Sequence, residues 1–539
     1  STAARAQAGL QEPVPKLLPG RQGRNPNAAR GVSIRAMSSD RGATPARVKS
    51  TPPAITADSF HHLARCERRF FLIEHDPGEK APPGDFDRLV MERGVAHERA
   101  ILARTPGAIG PVWPFGVPLE PAVRETERLL RERRSTIYQG ALRSRDGARA
   151  GVPDFLLWEG DTLVVREVKL ATRLADHPEI ALQLEHYATL AEETLPGVEV
   201  RTEFVNGEGL RVPVPRDPGS FAAQLAAARA LLRATEEPGL LKSHSTCAEC
   251  PFYEHCWSRA RAERRVEILS EVTAQRLPRL HDLGIATVDQ LAATAPGALR
   301  GPGLQNGAER MVAEARAHRE ERPVIIGADP LPADRPCVWF DLEGNVGQLD
   351  GTPPRVYLWG LGLEPERGET VFDAFLDDRG AEARDEGDRD AWQRFLARAE
   401  GILDRSPTAL FVHYASYEKT MMNLYAGRYP ETERAATRVK ARLFDLYHGG
   451  VMKAVRLPLV SYSIKQVASL AGFRWRNPAA GGLWSIVQYQ RAMATTDAAE
   501  RARLLHEIVE YNHDDLVATR AVWQWLGGLY RAPAGGDGR

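Results

Sequence analysis

Short apolar runs rich in β-branched and aromatic residues alternate along this chain with stretches of helical period. Residues 155–158 and 163–168 are two such runs, and the turn Glu159-Gly160-Asp161 between them predicts a hairpin. The stretch that follows predicts a helix, on which Gln183 and Tyr187 share a face at i and i+4. Upstream, the pattern becomes globular at Ile55 and leads into a helix containing Cys66; another helix over 91–103 carries His97. Residues 214–243 read as helical. Over 266–318 the character changes. Gly284 marks a tight turn, Thr287 opens a helix with Gln290 placed for a capping box, and Gly301-Pro302-Gly303 precedes an alanine-rich helix reaching His318. Beyond a proline-rich segment, 323–336, strands are predicted at 338–344, 355–363, 371–376 and 409–414. Helices are predicted around 391–398 and over 508–519.

The 539 residues leave room for about three domains. Lysine plus arginine and aspartate plus glutamate both number 71, so any basic surface for nucleic acid must be local. The arginine excess and abundant alanine point to a GC-rich coding bias. No apolar run approaches the roughly 18–20 residues that span a bilayer, so the chain reads as soluble and cytoplasmic, with no membrane partner. Five cysteines in so long a chain do not make a disulfide framework. Residues 1–54 are expected to form a disordered basic tail, an organellar leader being the alternative; up to residue 50, Glu12 and Asp40 are the only acids.

Three groups of residues carry candidate chemistry. Glu167 and Lys169 point the same way from one strand, and the hairpin can bring Asp154 to both. Two carboxylates can hold a divalent ion beside a lysine that orients water or stabilises charge at phosphorus. Cys247-x2-Cys250-x5-Cys256, with the distant Cys66, offers four soft ligands for zinc or an iron–sulfur cluster; His244 and His255 are potential substitutes that keep zinc open. Asp341 and Glu343 share one face of a strand, Glu418 follows the strand ending near His413, and Tyr511 and Asp515 lie at i and i+4 on a helix.

Pro153-Asp154, Glu167-Val-Lys169 and Gln183-x3-Tyr187, with His97 on an upstream helix, resemble the PD-(D/E)xK core of RecB-like nucleases. That resemblance implies Asp154, Glu167 and His97 as metal ligands, Lys169 as the group that orients water, and Gln183 and Tyr187 as positioning residues. The cysteine order, one before this core and three after, is similar to that of the CRISPR-associated and AddB-type groups. It implies a [4Fe–4S] cluster on Cys66, Cys247, Cys250 and Cys256. The glycine hairpins of 263–322 resemble helix–hairpin–helix elements, which contact a phosphate backbone.

Asp341-x-Glu343, Glu418 and Tyr511-x3-Asp515 resemble the DEDD exonucleases of the ribonuclease H-like fold. There four carboxylates bind two divalent ions and the tyrosine orients the attacking water. His413-x3-Tyr417-Glu418 departs from the family's Asn-x3-Phe-Asp, and Asp445 is an alternative fourth acid. Both halves, with Ser461-Tyr-Ser-Ile-Lys465 between the late motifs, resemble a bacterial family of RecB-like nucleases that carry a ribonuclease H-like domain. The expectation is therefore an α/β protein: a PD-(D/E)xK domain over 55–262, a helical module over 263–322, and a DEDD exonuclease domain over 323–539. The expected function is Mg²⁺- or Mn²⁺-dependent hydrolysis of DNA in repair, recombination or processing, with the RecB-like site as principal catalyst. The alternatives are a nucleic-acid-binding adaptor for a separate helicase or nuclease, and a 3′–5′ exonuclease acting through the C-terminal domain. No Gly-x4-Gly-Lys-Ser/Thr loop is present, so a helicase would be a partner.

Overall fold

The computed structural model describes residues 54–114, 118–240, 244–332, 334–345, 354–364, 370–379 and 384–531. The expected basic tail lies outside them except for Ala54. Two five-stranded mixed sheets organise the chain.

The first sheet runs β1 (Thr136–Tyr138), β2 (Phe155–Glu159), β3 (Thr162–Val168), β4 (Glu199–Val205), β5 (Arg211–Val214) in spatial order. The expected hairpin is β2–β3, with Phe155 opposite Arg166 and Glu159 opposite Thr162. β3 and β4 are parallel, which requires a crossover. Helix α4 (Pro178–Thr194) supplies it and carries Gln183 and Tyr187. Every residue of β3 is buried because both its faces are covered. Leu163 and Val165 pack under α4, with Leu184 and Ala188. Val164 and Val168 pack on the opposite face against Ile101 of α3 (Asp85–Ala103).

The expected helix through Cys66 is two helices, α1 (Ala57–Arg65) and α2 (Glu67–His75). Cys66 between them is extended, at φ −171° and ψ 128°. The helical reading of 214–243 narrows to α5 (Pro218–Arg233): Val214 ends β5, Pro218 and the Asp217 cap start the helix, and 241–243 lie outside the described residues. α6 (Tyr253–Ala262) carries Cys256, and one hydrophobic core joins its Trp257 to Phe71 and Leu72 of α2. That core continues into α7 (Leu277–Asp282), α8 (Val288–Ala293) and α9 (Ala308–Glu320), across the expected boundary at 262/263. Gly284, Gly301 and Gly303 have φ of +74°, +118° and +83°, so both predicted hairpins turn through left-handed backbone that favours glycine. Thr287 and Gln290 form the expected capping box.

The second sheet has the order β8-β7-β6-β9-β10, from β6 (Cys337–Asn345), β7 (Arg355–Leu363), β8 (Val371–Leu376), β9 (Leu410–His413) and β10 (Leu443–Asp445). β6, β7 and β8 pair antiparallel, whereas β6–β9 and β9–β10 are parallel. Helix α10 (Arg384–Arg405) contains the predicted 391–398 stretch and makes the crossover from β8 to β9. Val338, Phe340 and Leu342 of β6 pack with Trp392 and Phe395 of α10. Trp339 faces the other way, into the core beneath α14 (Ala498–Arg531), so Asp341 and Glu343 face α14 as well. α12 (Ile464–Leu470) packs on that side, whereas α11 (Tyr417–Arg428), which follows β9, packs with α10 and brings only its first turn, with Glu418, toward the acids.

The two halves are in direct contact. Buried Arg456 donates to Glu271 of the helical module at 2.8 Å. Arg93 of α3 donates to Gln490 of α13 (Gly482–Ala494) at 3.0 Å. No described helix is long and apolar enough to cross a membrane.

Candidate active site

Among the described residues one group of three or more potential metal ligands converges: Asp341, Glu343 and Asp515, all buried, with ligand atoms within 4.8 Å of one another. Alternation along β6 places the first two on one face, and the helical repeat of α14 presents Tyr511, Asn512 and Asp515 to them. Asn512 Nδ2 donates to Asp341 Oδ2 at 2.7 Å, and Trp475 Nε1 donates to Asp515 Oδ1 at 2.6 Å. Tyr511 is hydrogen-bonded to Asp515. Burial first, then the neighbouring carboxylates, push the carboxyls of Asp341 and Glu343 well above their ordinary range. Burial also raises Asp515, with Lys465, Trp475 and Tyr511 opposing it. Glu343 Oε1 and Asp515 Oδ2 are buried with no hydrogen-bond partner among the described residues.

Hard carboxylate oxygens, two of them buried and unsatisfied, fit Mg²⁺ or Mn²⁺. Repulsion among the three acids disfavours the ion-free charged state, so a divalent cation is the natural counter-charge.

Glu418 is close but does not join the three. It lies in the first turn of α11, buried, and its Oε2 is 3.2 Å from His413 Nδ1. Its charge nonetheless adds to the shifts of Asp341 and Glu343. The chain turns from β9 into α11 through Ala415 at φ +74°, a conformation costing about 1–2 kcal/mol for a residue with a Cβ. Asp445 accepts the Ala415 N–H at 3.1 Å and contacts His448 Nδ1 at 2.7 Å, so it supports this turn.

Residues 338–527 match the family model of the RNase_H superfamily, RNase_H_2. The C-terminal half carries an RNase H-like domain. No curated protein matches the chain.

Residues to which sequence reasoning gave no role also line the candidate site in the RNase H-like domain. Asn512 and Trp475 donate to Asp341 and Asp515, and Ser485, hydrogen-bonded to Tyr357 Oη at 2.9 Å, lowers the Glu343 carboxyl against its burial. Lys465, in the Ser461–Lys465 motif, stands over the Trp475 and Tyr511 rings beside them. Tyr417 Oη is buried without a hydrogen-bond partner among the described residues, under the influence of Glu343 and Glu418.

The N-terminal residues converge in part. Lys169 Nζ lies 2.6 Å from Glu167 Oε2, the Asp154 N–H donates to Glu167 Oε1 at 3.2 Å, and Asp154 Oδ2 accepts from Val168 N–H at 2.7 Å. Burial and the Glu167 charge raise the Asp154 carboxyl well above its ordinary range. Against its own burial, Glu167 and Asp154 hold the Lys169 ammonium above its ordinary range. Tyr187 is buried close to both acids, and its ring occupies the space a side chain at Gly151 would need.

His97 does not complete a three-ligand set with Asp154 and Glu167 here. Its Nε2 lies 2.9 Å from the Asn206 carbonyl, and α3 packs on the face of β3 opposite Leu163, Val165 and Glu167. The α3 residue whose charge reaches Asp154 and Lys169 is Glu98, which accepts from Tyr138 Oη at 2.8 Å. Gln183 donates to the Ala57 carbonyl at 3.3 Å and so ties α4 to α1.

Cys66, Cys247, Cys250 and Cys256 come close enough for their charges to interact. Burial pushes the Cys247 thiol up to about 12 and Cys256 to about 11. His255 contacts Glu237 at 2.8 Å, and the side chain of His244 lies outside the described residues. Cys337 begins β6, far from the other cysteines in sequence.

Proposed function

We propose that this protein is a metal-dependent nuclease whose principal centre is Asp341, Glu343 and Asp515 of the RNase H-like domain. Their convergence around two unsatisfied buried carboxylate oxygens carries the reading. These three acids would hold the ions, which supply electrophilic activation of phosphorus and a hydroxide nucleophile at neutral pH. Tyr511, hydrogen-bonded to Asp515, would orient the attacking water. Glu418, held by His413, would extend the acidic surface toward a second ion. The substrate is nucleic acid, attacked from an end as in the exonucleases the site resembles.

We further propose that Asp154, Glu167 and Lys169 form a second, PD-(D/E)xK-type centre; the short Lys169–Glu167 contact beside a buried aspartate favours it. His97 would ligate only through Nδ1. Tyr187 would wall the centre, and Gln183 would act through its contact with α1. The four cysteines would hold a [4Fe–4S] cluster. The proximity of the four thiols, one from the α1–α2 junction and three in and just before α6, supports the reading. The glycine hairpins of 263–322 would contact the backbone of a DNA substrate, consistent with a role in repair or processing beside a separate helicase.

The test is degradation of end-labelled DNA and RNA with Mg²⁺ or Mn²⁺ by the full chain and by Asp341→Asn. Loss of most activity in the variant supports the assignment. An unchanged rate moves the principal activity elsewhere, and intact substrate bound without metal would favour an adaptor.

A further inference from the structure

A buried ammonium normally sits on a carboxylate or on several hydrogen-bond acceptors, because an unpaired charge away from water is costly. Lys465 of α12 has neither. It is 9 % exposed, and its Nζ has no hydrogen-bond partner among the described residues. What surrounds it is aromatic: Nζ stands 4.0 Å from the centre of the Trp475 ring and 4.8 Å from that of Tyr511.

Those two rings locate the lysine. Trp475 donates to Asp515 and Tyr511 is hydrogen-bonded to it, so the side chains that cradle the ammonium also position a metal-ligand candidate. The charges that act on Lys465 are those of Asp515, Glu343, Asp514 and Asp341. Asp514 is engaged elsewhere, by Arg476 Nε at 2.8 Å. Lys465 therefore borders the acidic centre from its aromatic side, with three N–H donors and no acceptor.

With the acids committed to divalent ions, the remaining anion that can reach these donors is the phosphate of the substrate. An ammonium is a compact charge on a flexible stem with three rotatable donors, so it can follow an oxygen of that phosphate. Ring faces hold a cation in place without satisfying its N–H groups, which leaves them for a ligand.

We propose that Lys465 is a catalytic residue of the RNase H-like centre, donating to a non-bridging oxygen of the phosphodiester seated there. This rests on the reading of Asp341, Glu343 and Asp515 as the metal centre. The rival role is that of a resident counter-charge, which would neutralise Asp515 and touch no substrate.

The test uses the full chain in a Lys169→Ala background, so that the second proposed centre does not contribute. Cleavage of end-labelled oligothymidylate and oligouridylate is followed across a Mn²⁺ titration. Lys465→Met keeps the length and apolar stem of the side chain and is expected to lower kcat/KM by about 10²-fold or more, the usual loss for a charge-stabilising donor. The Mn²⁺ midpoint should not rise. Lys465→Arg, which restores charge and donors in a poorer fit, should recover part of the loss. Thermal melting identifies any folding defect; were Lys465→Met unfolded, the folded Lys465→Arg would still be expected to lose rate at an unchanged Mn²⁺ midpoint.

The inference is overturned if folded Lys465→Met, or Lys465→Arg in that second case, keeps kcat/KM. A lower Mn²⁺ midpoint with unchanged saturated rate would establish the counter-charge role instead. If the background protein cuts neither polymer, the assignment of the centre fails and this inference falls with it. Cleavage by the background that is indifferent to Lys465 sinks the lysine's role alone.

Discussion

Asn512 Nδ2 lies 2.7 Å from Asp341 Oδ2, joining residues 171 positions apart and docking α14 onto the strand that bears two of the three convergent acids. The contact depends on the neighbouring strand. A Cβ at Gly360, which is paired with Asp341 in β7, would stand 1.9 Å from Asn512 Oδ1.

Gly360→Ala should therefore destabilise the RNase H-like domain by about 1–3 kcal/mol, the usual range for overpacking. It should also lower activity beyond the effect of stability, because Asn512 can no longer hold Asp341. Thermal melting and metal-dependent cleavage together check this, and a fully active, equally stable variant would contradict the close packing described.

The acids of the centre set a pH dependence. Burial, with repulsion from neighbouring acids, raises the carboxyls of Asp341, Glu343 and Asp515. Over the window between their ordinary and raised values the folded, ion-free chain binds more protons than the unfolded chain. These groups therefore contribute stability that is lost as pH rises through that window. A divalent ion displaces the same protons, so its apparent affinity should increase with pH. Melting in chelator and in Mn²⁺ between about pH 5 and pH 8 should show the gap between the two curves widening upward. Asp341→Asn should narrow it, and a gap that shrinks as pH rises would contradict the linkage.

The two proposed centres separate genetically. Asp341→Asn should remove most hydrolysis, and Lys169→Ala in that background should remove what remains, by about 10²–10³-fold in rate. End-labelled substrates report both losses. If Lys169→Ala alone abolishes all cleavage, the N-terminal centre is the principal one.

The cysteines give a spectroscopic prediction. Burial raises the Cys247 and Cys256 thiols further above neutrality, so ionising them as ligands needs a metal centre. Protein purified without oxygen should be brown with broad visible absorbance, as iron–sulfur clusters are, and Cys250→Ser should lose the colour. Stoichiometric zinc without iron would replace the cluster with the zinc alternative.

Much of both sheets was legible because strand alternation and helical repeat fix which residues share a face. Asp341 with Glu343, and Tyr511 with Asp515, follow from those periods alone. What a period does not show is which face of a distant element it meets. His97 lies on the predicted helix, yet α3 docks on the side of β3 away from Glu167, and its charge-bearing neighbour is Glu98. Asn512, Trp475 and Lys465 acquire roles only when α14 and the segment after α12 dock against β6 and bring 341, 475 and 515 together, which no local pattern encodes. The sequence predicts one helix running through Cys66. The extended backbone at that position separates two helices instead.

The most direct test of the central claim is Mn²⁺ binding by the full chain, followed by calorimetry, in wild type and in Asp515→Asn. The Asp341–Glu343–Asp515 centre requires wild-type protein to bind Mn²⁺ and Asp515→Asn to lose at least one site, with hydrolysis lost in parallel. Equal Mn²⁺ stoichiometry and affinity in the two proteins would contradict it.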